Sequence, residues 1–257
     1  MTGLPPELQA TLIGLFWQAA LVFFRVAALV SVLPAFGERS VPARVKLMLA
    51  VMFTMIVAPA VDVPAAVQGP MATARFIGTE AVIGLALGLG IRLFVLALHT
   101  AGSIAAQSTS LAQVLGGAAV EPIPAMGYVM VIAGLALAVM SGLHVQAAKL
   151  LIQSYDVFPA GEFPVAQDLS AWGVARISKA FSLAFLLAAP FVIASLVYNL
   201  TLGVINRAMP QLMVAFVGAP VITWAGLFLL FVSAPLLLSV WIQALGSFLG
   251  NPMGVAN

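Results

Sequence analysis

Long apolar runs dominate the chain, at 10–36, 45–61, 77–99, 126–148, 180–206 and 213–249, with a softer apolar stretch at 100–119. Most of them reach the roughly 20 residues that a spanning helix needs. Strict alternation with turn signals, the mark of a transmembrane barrel, is absent from the sequence. The pattern therefore predicts apolar helices throughout. The run 213–249 is long enough for a helix of about 55 Å, against a hydrocarbon core of about 30 Å. Pro220 and Pro235 fall inside it and can kink it. Between the runs lie readable linkers. Residues 34–44 (PAFGERSVPAR) predict a charged turn, 59–70 hold three prolines, and 156–170 (DVFPAGEFPVAQDLS) carry three of the eight acidic residues as the main solvated loop. No internal repeat is visible.

Composition sharpens this picture. The 257 residues are 63% hydrophobic and 7% charged, where soluble domains carry roughly 25% charge. With a mean hydropathy of +1.16, so few charges cannot clothe the apolar surface in water, and the chain must face lipid or other apolar protein. A net charge of +2 without a Lys/Arg cluster excludes a nucleic-acid backbone stripe. The absence of cysteine excludes disulfides, thiolate metal sites and Cys nucleophiles. The first residues, MTGLPPELQ, contain a glutamate and no base, so the first apolar run is read as retained. The positive-inside rule gives no orientation. A six-span drawing sets Arg39, Arg44 and Lys46 on one side against Lys149, Arg176 and Lys179 on the other.

Catalytic patterns are sparse. The two histidines, His99 and His144, have no carboxylate within a helical turn, the aspartates all fall in loops, and there is no G-x-S-x-G elbow. The chain reads as a non-enzyme without cofactor or metal. Gly84 and Gly88 in GLALGLG have the G-x-x-x-G spacing that lets helices approach closely. Met48, Met52 and Met55 share one helix face, expected to pack in the core or at an interface.

Polar groups in apolar surroundings are the informative exceptions. Arg25 in LVFFRVAAL would cost about 2.5–3.5 kcal/mol at a bilayer centre, so it should face protein or water, with a proton-relay role as the sharper alternative. Glu80 is the one acid inside an apolar run, near its end, and no charge partner for Arg25 or Arg207 is apparent. Residues 100–124 are rich in small polar side chains (Ser103, Gln107, Ser108, Thr109, Ser110, Gln113), followed by Gly116, Gly117 and the Pro122/Pro124 pair. They suit either a protein-enclosed cavity or an ordinary extramembrane loop. In NLTLGVINRAMPQL, Asn199, Gly203, Asn206 and Pro210 share one helix face. Pro210 lacks an N–H and clashes with the carbonyl four residues back, so the helix should kink or end near Met209. Asn206, Arg207 or Gln211 could donate to the carbonyl so freed.

This stretch, NLTLGVINRAMPQLMVAFVGAP from Asn199 to Pro220, resembles the signature of the FliR family of the flagellar type III export apparatus. RVAALVSVLPAFGERSVPARVKLMLA, from Arg25 to Ala50, is similar to the family's opening pattern. The resemblance reaches to about residue 245. It implies an all-α fold of membrane-associated helical hairpins in a single domain over 1–257, with N-terminal helices (1–99), a polar pore loop (100–125) and C-terminal hairpins (126–257). It implies assembly with FliP- and FliQ-type subunits into a helical export gate, with an FlhB-type subunit beside it, no catalytic site, and passage of unfolded flagellar proteins. The place implied is the flagellar basal body in the bacterial inner membrane, where much apolar helix is buried against partners. Gln107 to Glu121–Pro122 matches a plug loop in the family, with Thr109 where glycine is usual, Glu121 in place of Asp, and longer spacing. Asn199, Gly203, Asn206, Arg207, Pro210, Gln211 and Pro220 match a fixed helix break. A self-sufficient secondary transporter with a site near Pro210 is the alternative.

Overall fold

A computed structural model of the chain describes residues 5–38, 40–63, 69–109, 125–209 and 214–254, with backbone alone at residue 6 and at 214–220. All regular structure among them is helical. The order is α1 (Pro6–Val32), α2 (Ala43–Val57) with a 3-10 turn at Ala58–Ala60, α3 (Pro70–Thr109), α4 (Ala125–Met140), α5 (Leu143–Val157), α6 (Ala166–Ala208) and α7 (Val214–Gly250). Five of these helices are long and apolar enough to cross a membrane, and the bent pair α4–α5 makes a sixth span if taken as one.

Local chemistry sets the boundaries. α1 starts with proline in its first turn, where a missing N–H costs nothing, and stops at Val32, two residues before Pro34. α2 follows Pro42 directly. The polar 100–109 stretch is helical and completes α3, a helix of 40 residues. α4 and α5 meet at 69° around Gly142, whose φ of 81° favours glycine. The expected solvated loop is shorter than drawn: α5 runs to Val157 and α6 begins at Ala166. α6 ends at Ala208, where Pro210 was expected to stop it. The last run forms a single helix, α7, which continues for 37 residues through Pro220 and Pro235.

Two compact units divide the chain. The first draws on Met1–Arg92, Val139–Arg176 and Gly246–Asn257. In it α1 packs on α2, and α2 touches α5. Gln18 ties α1 to the end of α2 by donating to the carbonyls of Ala58 and Val61, each at 2.8 Å. The start of α6 is fixed by Trp172 Nε1 donating to Pro252 O at 2.9 Å. The second unit draws on Leu93–Ala138 and Ile177–Leu245. Its centre is Trp241, fully buried, with Nε1 donating to Phe94 O at 2.8 Å. Gly102 and Gly127 bring α3 and α4 into backbone contact there: a Cβ on Gly102 would lie 2.2 Å from the Gly127 Cα.

Much apolar surface stays open. Phe185, Leu186 and Leu200 on α6 and Trp224 and Phe231 on α7 are all exposed. So are Met48, Met52 and Met55 on α2, which are not core residues of this chain.

Candidate functional site

The most concentrated polar chemistry lies in the first unit, around Arg25. Arg25 stands in the C-terminal third of α1 and is completely buried. Burial of a guanidinium is tolerable only when it is paired and its N–H groups are used. Both conditions hold. Nε donates to Glu80 Oε2 at 2.8 Å and Nη2 to Glu80 Oε1 at 3.0 Å, a two-pronged pair in which neither side chain is exposed. Nη1 donates to Ser154 Oγ at 3.0 Å, and Nη2 also to Phe158 O at 3.0 Å. The guanidinium carbon lies 3.6 Å from the centre of the Tyr155 ring.

Glu80 is equally well used. Besides the two arginine bonds it accepts from the Tyr155 hydroxyl at 3.1 Å and from the Gly161 N–H at 3.1 Å. The Ser154 hydroxyl in turn donates to Leu151 O at 2.7 Å. The knot therefore joins α1, α3, α5 and the turn after α5. Sequence reasoning found no charge partner for Arg25, and the structure corrects this: the partner is Glu80, 55 residues away. A signal was available in the glycines. Glu80, Gly84 and Gly88 follow one another at i, i+4 and i+8 on one face of α3. A Cβ on Gly84 would lie 2.2 Å from Arg25 O, and one on Gly88 2.5 Å from a Val32 methyl. The G-x-x-x-G stripe thus seats α3 on α1 and delivers Glu80 to Arg25. Tyr155, Ser154 and Gly161 carried no such mark.

Chemically the knot is closed. Every oxygen of Glu80 has donors, and four donor contacts occupy Arg25, so it offers neither a free base nor an open anion site. It clamps helices and a turn. His99 and His144 are both exposed, and no group of three metal-ligating side chains occurs among the described residues.

The remaining sequence-singled residues are not brought together with it. Gln107 is exposed, Ser108 half-buried and Thr109 buried, all in the last turn of α3. Thr109 covers Gly226 of α7, where an added Cβ would come within 2.6 Å of its methyl. Ser110, Gln113, Gly116, Gly117, Glu121 and Pro122 lie outside the described residues. Asn199, Gly203, Asn206 and Arg207 are exposed on α6. The expected donor role of Asn206 or Arg207 at the helix end is not seen, since neither side chain has a hydrogen-bond partner among the described residues. Pro210 and Gln211 lie outside the described residues, as does the side chain of Pro220.

The family described as bacterial export proteins, family 1, matches residues 16–248. The chain is 34% identical over 230 residues to the flagellar biosynthetic protein FliR of Caulobacter vibrioides, an overlap of 87% of this chain and 90% of that protein. It is 33% identical over 239 residues to the protein of the same name from Escherichia coli, covering 86% and 84%. With that of Bacillus subtilis the identity is 29% over 219 residues, covering 82% and 83%. A chain whose described residues form only helices, five to six of them apolar spans of membrane length, and that is matched over residues 16–248, belongs to the FliR family of bacterial export proteins and is a membrane component of the flagellar export apparatus.

Proposed function

We propose that this chain is the FliR-type core subunit of the flagellar type III export gate. It assembles with FliP- and FliQ-type subunits into a closed channel in the bacterial inner membrane at the basal body. An FlhB-type subunit sits beside it, and unfolded flagellar proteins pass through. Its role is structural and gating, with no catalytic step of its own.

One observation carries this reading. α3, α6 and α7 have 40, 43 and 37 residues, contour lengths of about 55–65 Å, roughly twice the hydrocarbon thickness. Yet the apolar windows of α6 and α7 are only 28% and 22% buried within the chain. Lipid alone cannot cover apolar helix over such lengths, so protein partners must. In the same reading, the exposed row Asn199, Gly203, Asn206 and Arg207, with Pro210, Gln211 and Pro220, is a helix break that meets neighbouring subunits. The segment from Gln107 to Pro122 plugs the channel. A self-sufficient transporter is disfavoured because the buried charge pair among the described residues, Arg25–Glu80, is held by protein groups on both sides.

The test is co-expression of the tagged chain with FliP- and FliQ-type proteins of the same genome, followed by purification in detergent. A stable complex of all three is expected. A chain that purifies alone, monodisperse and folded, overturns the reading.

A further inference from the structure

The end of α5, the turn at 158–165 and the first turns of α6 enclose an open groove of about 420 Å³. Its walls are apolar: Phe158, Phe163, Pro164, Leu169, Trp172 and Met253. The charged residues that line it, Glu162 and Asp168, are both carboxylates and both exposed. Asp156, also exposed, precedes the lining residue Val157. None of the three carboxylates has a hydrogen bond or ion pair among the described residues. Arg176, one helical turn beyond Trp172, is no counterion. It is buried, donates to Gly254 O at 2.8 Å and lies over the Phe248 ring.

Stability does not explain this placement. Asp156 sits in the last turn of α5, where the helix dipole disfavours negative charge. The groove is also held in shape from beneath. Glu80 accepts from the Gly161 N–H, and Arg25 donates to Phe158 O, so the buried knot fixes both ends of the first half of the turn. Gly161, at φ 77°, is pressed against Phe76, whose ring an added Cβ would meet at 2.6 Å. A preformed apolar groove loses little freedom when it is filled.

We infer that this groove is a docking site for a segment of another export-apparatus subunit. That segment seats apolar side chains between Phe163 and Trp172 and sets Lys or Arg residues against Glu162, Asp168 and Asp156. The occupant is a basic, apolar-faced stretch of protein. An anionic lipid headgroup would meet like charge at this rim, and a bare acyl chain would leave the carboxylates unpaired. The inference rests on the export-gate reading for its class of partner.

The experiment places the photo-crosslinking residue p-benzoylphenylalanine at 163, or separately at 165, in the full chain expressed in flagellated cells. The crosslinked product is identified by mass spectrometry. The expected product is one protein partner, joined at an apolar residue with Lys or Arg within about one helical turn. Its yield should fall about tenfold in Glu162→Lys/Asp168→Lys, because like charges then face each other, and less in Glu162→Gln/Asp168→Asn. Both pairs are exposed side chains, and unchanged co-purification with the FliP- and FliQ-type subunits verifies that the variants fold. A phospholipid adduct, a second copy of this chain, a peptide without basic residues, or a yield indifferent to charge reversal overturns the docking site. Such a result with an intact three-subunit complex removes the groove alone. Failure of the complex itself removes the export-gate reading.

Discussion

Glu80→Gln is the smallest change that separates a stabilising ion pair from a mere contact. It keeps the shape of the side chain and removes its charge, leaving the fully buried Arg25 without a counterion. Breaking one side of a buried pair costs about 3–5 kcal/mol. The new amide N–H₂ would also face donors, since both carboxylate oxygens receive two bonds each, so the upper half of that range is expected. Replacing both partners, Arg25→Met with Glu80→Leu, removes the stranded charge. It leaves the Tyr155 hydroxyl, Phe158 O and Gly161 N–H without their partners, at about 1 kcal/mol each, while apolar packing offsets part of this. The double variant should therefore be more stable than Glu80→Gln, with a net loss of about 0–3 kcal/mol. Pulse proteolysis of the detergent-solubilised complex across an SDS series, with this chain followed by immunoblot, measures both. If Glu80→Gln lies within about 0.5 kcal/mol of the parent, well under the cost of a stranded buried charge, the pair is not buried as described. A double variant worse than the single has the same meaning.

Other expectations follow from close contacts. Gly84→Ala should destabilise by about 1–3 kcal/mol, because its Cβ would strike the backbone of α1 at Arg25. Gly14→Ala, with nothing within 4 Å, should gain about 0.5–1 kcal/mol from helix propensity, and the same proteolysis assay compares them. Trp241→Phe should lose about 1 kcal/mol through its bond to Phe94 O, read as a shift of the SDS midpoint. Arg207→Ala, on an exposed side chain without a partner among the described residues, should change chain stability by less than about 0.5 kcal/mol yet impair swimming in soft agar; normal motility would deny it an interface role. Deleting 110–117, which spares the buried Thr109, should make cells that assemble the complex leak ions, and unchanged conductance would remove the plug.

What the sequence disclosed tracks the range of the interaction involved. The stop before Pro210 was legible because proline acts on its own neighbours. That Arg25 needed cover was legible from the cost of an isolated charge. Which group covers it was not, because Glu80 is joined to it only by the folding of α1 against α3. The glycine stripe gave the close approach of two helices but named neither the partner helix nor its register. Pro235 marks the limit of the local rule: it removes a hydrogen bond but does not end α7, which continues to Gly250, as prolines are tolerated in membrane helices when surroundings satisfy the freed carbonyl. Met48, Met52 and Met55 were correctly placed on one face, but periodicity cannot tell a core face from one that waits for lipid or a partner.

The cations of the positive-inside count are not all free. The rule treats lysines and arginines near helix ends as free charges held back on one side. Several here are engaged within the chain. Lys46 donates to Gly37 O at 2.9 Å, Arg176 is buried on Gly254 O, and Arg92 stands 3.8 Å from Glu38 with both side chains about one-third exposed. A cation that closes a turn or caps a chain end is fixed by folding and carries less information about which side of a bilayer it faces. Lys179 is likewise engaged, so the engaged cations fall on both sides of the count. Orientation is therefore not written in the loop charges of this chain.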